Sequence, residues 1–381
     1  MNLHLEVAAT PQAFRALAGE WDELLDSSPA ANVFLTWEWL STWWECFGRH
    51  LQPWVVVLRH GRHLVGLAPF ILHRRARAGP FTHRELSFMG SGPAAPDHLD
   101  LIASPGCEAA VAQATFAHLS ASKRQWDILR LEGLAENSPF AGCLLTQRRD
   151  RLTQVSHQVC PYAHLPADQE SYRAGLGSNL RANIGRYGRQ LEREHPGQVR
   201  YWLVEDEAQI EPAMRLLFRL HQEVRQAHGQ PGAFSDPQMV LFHRHLAHRF
   251  FAKGWLRIYL LTVAGQDTAI TYNFRFGDVV YFYQTGYDQA WKRYGPGRQV
   301  ISFAIRQSIE EGAREFDFLR GDESYKFQWT NQIRRDINLV VPCSRLGQLI
   351  LGGRTAARAA RAHLRPPHQA GQPQHLSYKA R

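Results

Sequence analysis

The sequence predicts a mixed α/β (α+β) fold built as two tandem halves, each a mixed, mostly antiparallel sheet flanked by helices, followed by a basic flexible C-terminal tail. Three observations carry this. With 381 residues, 44% of them hydrophobic, the chain can bury a full core and exceeds a typical single domain. The order helix, helix, hairpin, helix, strand is written twice at a separation of about 200 residues. The positive charge is concentrated at one end of the chain.

The first half opens with a short strand, Leu3 to Val7, and a helix whose start is marked by Thr10 as N-cap and Pro11 at the first helical position. Phe14, Leu17, Trp21, Leu24 and Leu25 then recur at helical spacing. A second helix starts near Thr36 and carries Trp39, Leu40, Trp43, Trp44 and Phe47, a spacing that fits core packing better than a stacking platform for a ligand. Trp54–Leu58 and Leu64–Ile71, split by His60-Gly61-Arg62, form a hairpin. Gly90 to Pro96 is a loop, Val111 to Leu119 a helix and Trp126 to Leu131 a strand. Ser138 to Ala167 reads as irregular and is the expected connection, so the expected boundaries are 1–165, 166–345 and a tail over 346–381.

The second half repeats the order. A basic helix, Asn179 to Glu194, precedes a strand at Val199 to Val204, then helices through Met214 to Leu220 and over Gln238 to Ala252. A meander follows: Leu256–Val263, Thr268–Phe276 and Val279–Gly286, with turns at Ala264–Asp267 and Gly277-Asp278. Gln299 to Gly312 is a helix and Glu315 to Leu319 a strand.

The net charge of +9 resolves into seven Lys or Arg and no acid from Ser344 to Arg381, leaving +2 for residues 1–343. A nearly neutral body excludes a DNA-binding surface as the organising feature. In the tail, Arg354, Arg358, Arg361 and Arg365 form either a solvated helix with a frayed end or one basic face for peripheral contact with anionic lipid or RNA. Five scattered cysteines without a C-x-x-C pair argue for a reducing, cytoplasmic setting, and no apolar run reaches the ~20 residues of a membrane span. His243, His245 and His248 lie on one helix without the H-E-x-x-H pattern, so no metal is expected.

Chemistry is expected between Val279 and Trp329. The loop Lys292-Arg293-Tyr294-Gly295-Pro296-Gly297-Arg298 feeds a helix that begins at Gln299. Such a loop points backbone N–H groups and the positive end of the helix dipole at an anion, with Arg293 and Arg298 adding charge. Next, the strand Phe316-Asp317-Phe318-Leu319 runs into Arg320-Gly321-Asp322-Glu323-Ser324-Tyr325-Lys326, placing polar groups at a strand end.

Four segments resemble the CelD-like acetyltransferases of the GNAT superfamily, named for cellulose biosynthesis, and more distantly the Fem-type aminoacyl transferases of peptidoglycan bridges. They are Val33–Leu40 with Trp43-Trp44; Leu64–Pro69; Tyr287-Asp288 through Tyr294–Gly297; and Phe316–Asp322 with Tyr325-Lys326 and Trp329. Gly295 stands where the pattern has Ser, and Gln289 where it has Pro. The resemblance implies two GNAT-like halves and acetyl-CoA or another acyl-CoA as co-substrate, its pantetheine beside Val279–Gly286. Its pyrophosphate would sit on Arg293, Gly295, Gly297, Arg298 and Gln299. It implies N- or O-acyl transfer to a small-molecule or saccharide acceptor, such as a polysaccharide precursor or envelope metabolite, held by Arg320, Tyr325 and Trp329. Acyl transfer needs in-line positioning, an oxyanion donor and proton transfer. Lys326 is the candidate for oxyanion or phosphate stabilisation, Asp322 for base or acceptor positioning, and Tyr283 or Tyr287 for protonating the thiolate. The competing role for Lys326 is an ion pair with Asp322 that shapes the loop. Two other functions compete: aminoacyl transfer from charged tRNA, served by Arg181, Arg186, Arg189 and Arg193, and a catalytically degenerate scaffold in exopolysaccharide assembly.

Overall fold

The computed structural model describes residues 2–76, 82–147, 154–227, 229 and 232–352. In chain order the first elements are β1 (His4–Ala8), α1 (Pro11–Ala16), α2 (Ala18–Ser27), α3 (Trp37–Trp43), β2 (Gln52–His60), β3 (His63–Ala76) and β4 (Thr82–Phe88). They are followed by β5 (Ile102–Ala103), α4 (Glu108–Ala121), β6 (Ile128–Ala135), α5 (Pro139–Gln147) and β7 (Gln154–His164). Then come α6 (Gln169–Gly175), α7 (Ser178–Glu194), β8 (Val199–Leu203), α8 (Glu207–Ala227), α9 (Pro237–Ala252), β9 (Leu256–Val263), β10 (Gln266–Phe276) and β11 (Val279–Tyr287). The last are α10 (Pro296–Glu310), β12 (Glu315–Asp317) and β13 (Gln332–Pro342).

By internal contacts the chain groups into two units, one of residues 1–31, 49–157 and 337–381, the other of residues 32–48 and 158–336. Residues 32–48, which hold α3, group with the second unit, and 337–345 with the first, exchanges that a division along the sequence at 165 does not contain.

The two units repeat one strand topology. In the first, β1, β2, β3 and β4 pair antiparallel in succession and β4 pairs parallel with β6. In the second, β8, β9, β10 and β11 do the same and β11 pairs parallel with β12. In each unit the first antiparallel pair is linked through helices, α1–α3 between β1 and β2 and α8–α9 between β8 and β9, and the parallel pair needs a crossover, supplied by α4 and α10 respectively. This is the duplicated order read from the sequence, and it gives the mixed α/β class.

The segment 138–167, expected to be irregular, instead contains α5 and β7. Pro161 lacks an N–H, but its carbonyl accepts from Phe318 N at 2.9 Å, and Tyr162–His164 pair antiparallel with β12. Of the expected tail, 346–352 continue a helix that starts at 345, with Ile350 and Leu351 buried against Ile128 and Val340. The tail beyond, including Arg354, Arg358, Arg361 and Arg365, lies outside the described residues.

In the second unit the period of two along β11 sends successive side chains to opposite faces. Val280 and Phe282 join the core built on Val300, Ile301, Ala304 and Ile305 of α10, while Tyr281 and Tyr283 turn to Phe34 and, for Tyr283, to Trp39 of α3. Trp39 and Trp43 are fully buried, as the packing reading requires, and Trp39 lies edge-on to Phe242 of α9 at 5.2 Å. Arg249 ties α9 to α3, donating to Thr42 Oγ1 at 2.6 Å and to Glu45 at 2.8 Å.

Candidate functional site

The site begins with a fault in the β10–β11 ladder. Tyr272 pairs with Gln284 and Asn273 with Phe282, so the register skips Tyr283. A bulge of this kind leaves one residue unpaired and bends its strand. On the other edge, β11 is paired with β12 only over Val279–Tyr281, because β12 ends at Asp317. Beyond Tyr281 no β-ladder joins β11 to β12 among the described residues, which leaves an unladdered interval, or cleft, between the two segments. In the first unit β3 and β4 pair without interruption from Phe70↔Phe88 to Ala76↔Thr82, so the corresponding strand has no such fault.

The cleft leads to the α10 N-terminus. Gln289–Tyr294 form a short 3-10 turn capped by Asp288, whose side chain accepts from Ala290 N at 2.9 Å. Gly295 then takes a left-handed conformation, φ 59°, and serves as N-cap of α10 without any side-chain cap. A Cβ here would lie 2.9 Å from the Tyr187 ring, and the positive φ adds strain for any L side chain. Together these explain glycine where the family pattern has serine. With no hydroxyl to cap them, the N–H groups of the first turn remain available to an anion.

The sequence-predicted residues divide by what their side chains do. Arg298 donates from Nε to Gln328 Oε1 at 3.2 Å, which joins the donor loop to the 320–329 segment. The Tyr287 ring lies against Gly297, 3.3 Å from where a Cβ would stand, so glycine there preserves the close approach. Arg293 is paired with Glu194 of α7 at 3.5 Å and lies over the Tyr294 ring at 4.6 Å. Gln299 is spent on packing: its Nε2 donates to Ile184 O at 2.9 Å and its Oε1 accepts from the Tyr201 hydroxyl at 3.1 Å. Trp329 is buried in the core below α10, with Tyr325 packed beside it; burial pushes the Tyr325 phenol well above its ordinary range. Arg320 is half-buried and Asp322 is exposed.

Lys326 is almost fully buried; its Nζ donates to Leu319 O at 3.2 Å and Arg320 O at 2.6 Å and lies 3.0 Å from Glu323 Oε2. Two of the three ammonium hydrogens are thus held by loop carbonyls. Its ion partner is Glu323, three residues away, rather than Asp322. The loop it pins is unusual. Leu319 has φ 58°, a strained conformation for a bulky residue, and its N–H is held by Asp317 Oδ1 at 2.7 Å.

Behind Tyr283 lies a group of buried polar side chains, packed among aromatic rings, that sequence reasoning missed. The Tyr283 hydroxyl is 3.3 Å from Nε2 of His243, a fully buried residue of α9. Among the described residues, His243 Nδ1, both ring nitrogens of His221 and the Tyr272 hydroxyl are buried without a partner. Burial, with His221 nearby, pushes His243 down to about 3, and burial, with Arg225 nearby, pushes His221 to about 4, so both are neutral imidazoles near pH 7. The available signal was positional: His243 occupies an apolar position beside Met239, Phe242 and Leu246, whereas His245 is exposed and His248 bonds to Glu207 and Glu211 on another face. The three do not converge.

Residues 178–327 match the family model of the acetyltransferase (GNAT) domain. The fold resembles that of FemX, with a TM-score of 0.60 and 9% identity over 88% of this chain and 98% of that one. A conserved protein of unknown function from Bacteroides thetaiotaomicron gives 0.55 and 14%, over 85% and 97% of the two chains. A C-terminal domain from Agrobacterium fabrum, named after lysylphosphatidylglycerol synthetase, gives 0.51 and 10%, over 90% and 95%. At such identities the likeness is one of fold. No curated protein matches the sequence. Among the described residues no helix is long and apolar enough to cross a membrane.

Proposed function

We propose that the protein is an acyl-CoA-dependent N- or O-acyltransferase whose donor site lies along β11 in the second unit. The observation that carries it is the bulge at Tyr283, together with the early end of β12 and the uncapped start of α10. An extended pantetheine can lie along the unladdered edge of β11, and a pyrophosphate can take the first-turn N–H groups with Arg298 beside them. Among the described residues the β10–β11 ladder carries this fault and the β3–β4 ladder does not, so the first unit is assigned to holding shape or acceptor rather than donor.

The acceptor amine or hydroxyl attacks the thioester carbonyl; a C–N or C–O bond forms, the C–S bond breaks, and the departing thiolate takes a proton. Tyr283 is the proton donor in this reading. Nε2 of neutral His243 lies 3.3 Å from the phenol oxygen and holds the hydroxyl in position beside the β11 strand. Lys326 is a positioning residue that fixes the Leu319–Arg320 turn, and Asp322, exposed beside the cleft, remains the candidate acceptor-side carboxylate. The resemblance to CelD-like enzymes favours a sugar or polysaccharide precursor as acceptor and acetyl as the acyl group. A second reading, aminoacyl transfer from charged tRNA, is favoured by the arginines of α7 and by the FemX-like fold.

Calorimetric titration of acetyl-CoA into the purified protein tests the donor site. Micromolar binding abolished by Arg298→Glu and retained by Tyr283→Phe supports it. No binding by the wild type moves the assignment to the tRNA reading.

A further inference from the structure

A cavity of about 600 Å³ opens on the α10 face of the second unit, walled by α6, α7, β8 and the flank of α10. It does not include the Gly295–Arg298 turn. Its floor is apolar, with Leu176, Ile184, Phe303 and Ile309, and its upper wall is fixed by the Tyr201–Gln299–Ile184 hydrogen-bond chain.

Its charge is unbalanced. Arg173, Arg181 and Arg306 line it against a single acid, Glu170, and none of the three has a carboxylate partner among the described residues. Arg181 donates to the α6 carbonyls of Arg173 and Ala174, at 3.5 and 3.0 Å, and Arg306 lies 5.0 Å over the Phe303 ring. Nearby Glu310 is taken by the amides of Gln169 and Gln307. Arg173 Nη2 and Arg189 Nη1 both approach Gly185, 3.9 and 3.1 Å from where a Cβ would stand, which gathers two guanidinium groups on one side of the cavity. Like charges gathered in this way favour an anion between them. Tyr172 lines the same cavity; its hydroxyl is buried just beneath the surface, without a partner among the described residues, and burial pushes it well above its ordinary range. It therefore stays an O–H donor with no acceptor among the described residues.

We propose that this cavity binds an organic phosphate. The phosphoryl group takes the guanidinium forks of Arg173, Arg181 and Arg306 and the Tyr172 hydroxyl, and a planar or apolar body rests on Phe303 and its neighbours. Several guanidinium groups and one neutral donor match a dianion better than a single carboxylate, because phosphate accepts bidentate pairs from more than one arginine. The cavity touches the donor set only at Gln299, whose side chain is spent on Ile184 and Tyr201, and includes none of the Gly295–Arg298 turn, so Arg298→Glu separates this inference from the donor-site reading.

Calorimetry with adenosine 5′-monophosphate, with dihexanoyl phosphatidic acid below its micellar concentration, and with inorganic phosphate tests this. The expected result is that at least one organic phosphate binds about tenfold or more tightly than inorganic phosphate; which one distinguishes a nucleotide body from a lipid body. Arg173→Ala and Arg306→Ala, both at exposed positions and checked by unchanged melting, each weaken that binding about tenfold, and Tyr172→Phe weakens it less. Arg298→Glu leaves it unchanged. The proposal is overturned if neither organic phosphate outbinds inorganic phosphate, if the two alanine variants bind like the wild type, or if Arg298→Glu removes the binding. Organic phosphate binding without acetyl-CoA binding would retain this site and sink the donor assignment alone.

Discussion

Lys326→Met separates a structural from a chemical role for the buried lysine. Methionine keeps the length of the stem and removes the ammonium, leaving Leu319 O and Arg320 O without their donor. A hydrogen bond to a charged group contributes about 1.5 kcal/mol or more, so losing two costs about 3 kcal/mol. The pair with half-exposed Glu323 adds little, since solvent screens it. For a unit of this size, 3 kcal/mol corresponds to a fall of roughly 6–12 °C in melting temperature. The assay is a thermal melt followed in parallel with acyl transfer. The expected outcome is the lower melting temperature, with activity at low temperature reduced through loosening of the Leu319 turn and with the pH–rate profile unchanged. An unaltered melting temperature with transfer abolished would refute the reasoning and place Nζ on the substrate.

Tyr283→Phe should lower kcat by about 10²-fold with little change in acetyl-CoA binding, measured by steady-state transfer and calorimetry, as expected for loss of a general acid. Gly286→Ala should destabilise the second unit by about 1–3 kcal/mol in urea titrations, because the added Cβ would stand 2.9 Å from His221 N on α8, and backbone cannot step aside. The unfolded-state histidine titrates near 6.5, whereas His221 and His243 stay neutral in the folded protein down to about 4 and about 3. Below pH 6.5 the unfolded chain binds protons that the native chain refuses. Stability should thus be full above about 6.5 and fall from there toward pH 3, by up to about 1.4 kcal/mol per pH unit for each residue. His243→Phe should flatten that slope in denaturation curves taken between pH 6.5 and 4.5.

What could be read from the sequence followed local signals. The meander β9–β11 was legible because Gly265 and Gly277 mark its turns and apolar residues fill the strands between them. Thr10 announced its helix as an N-cap, and the second helix was expected to start near Thr36; both threonines cap their helices in the structure. The strands β4, β7 and β13 were missed: their polar residues break the alternation, and their burial comes from partners distant in sequence, as with Glu85, buried between Arg75 and Arg130. The bulge at Tyr283 left no mark at all, since register belongs to a pair of strands. Likewise the acidic residues near Lys326 were visible, but only the helical turn at 326–328 determines that Glu323, not Asp322, reaches the ammonium.

The grouping of residues 32–48 with 158–336 has a consequence for how the chain comes off the ribosome. The tryptophan helix is made early, yet its packing partners in α9 and β10 follow some 200 residues later, and the unit closes only at residue 336. At about 5–20 residues per second, the helix waits roughly 15–60 s before that unit is complete. The first unit waits too, since residues from 337 onward belong to it. Nascent chains therefore expose Trp39, Trp43 and Phe47 for most of synthesis. A truncation beginning at 158 would lack a piece of its own core however well its ends were chosen.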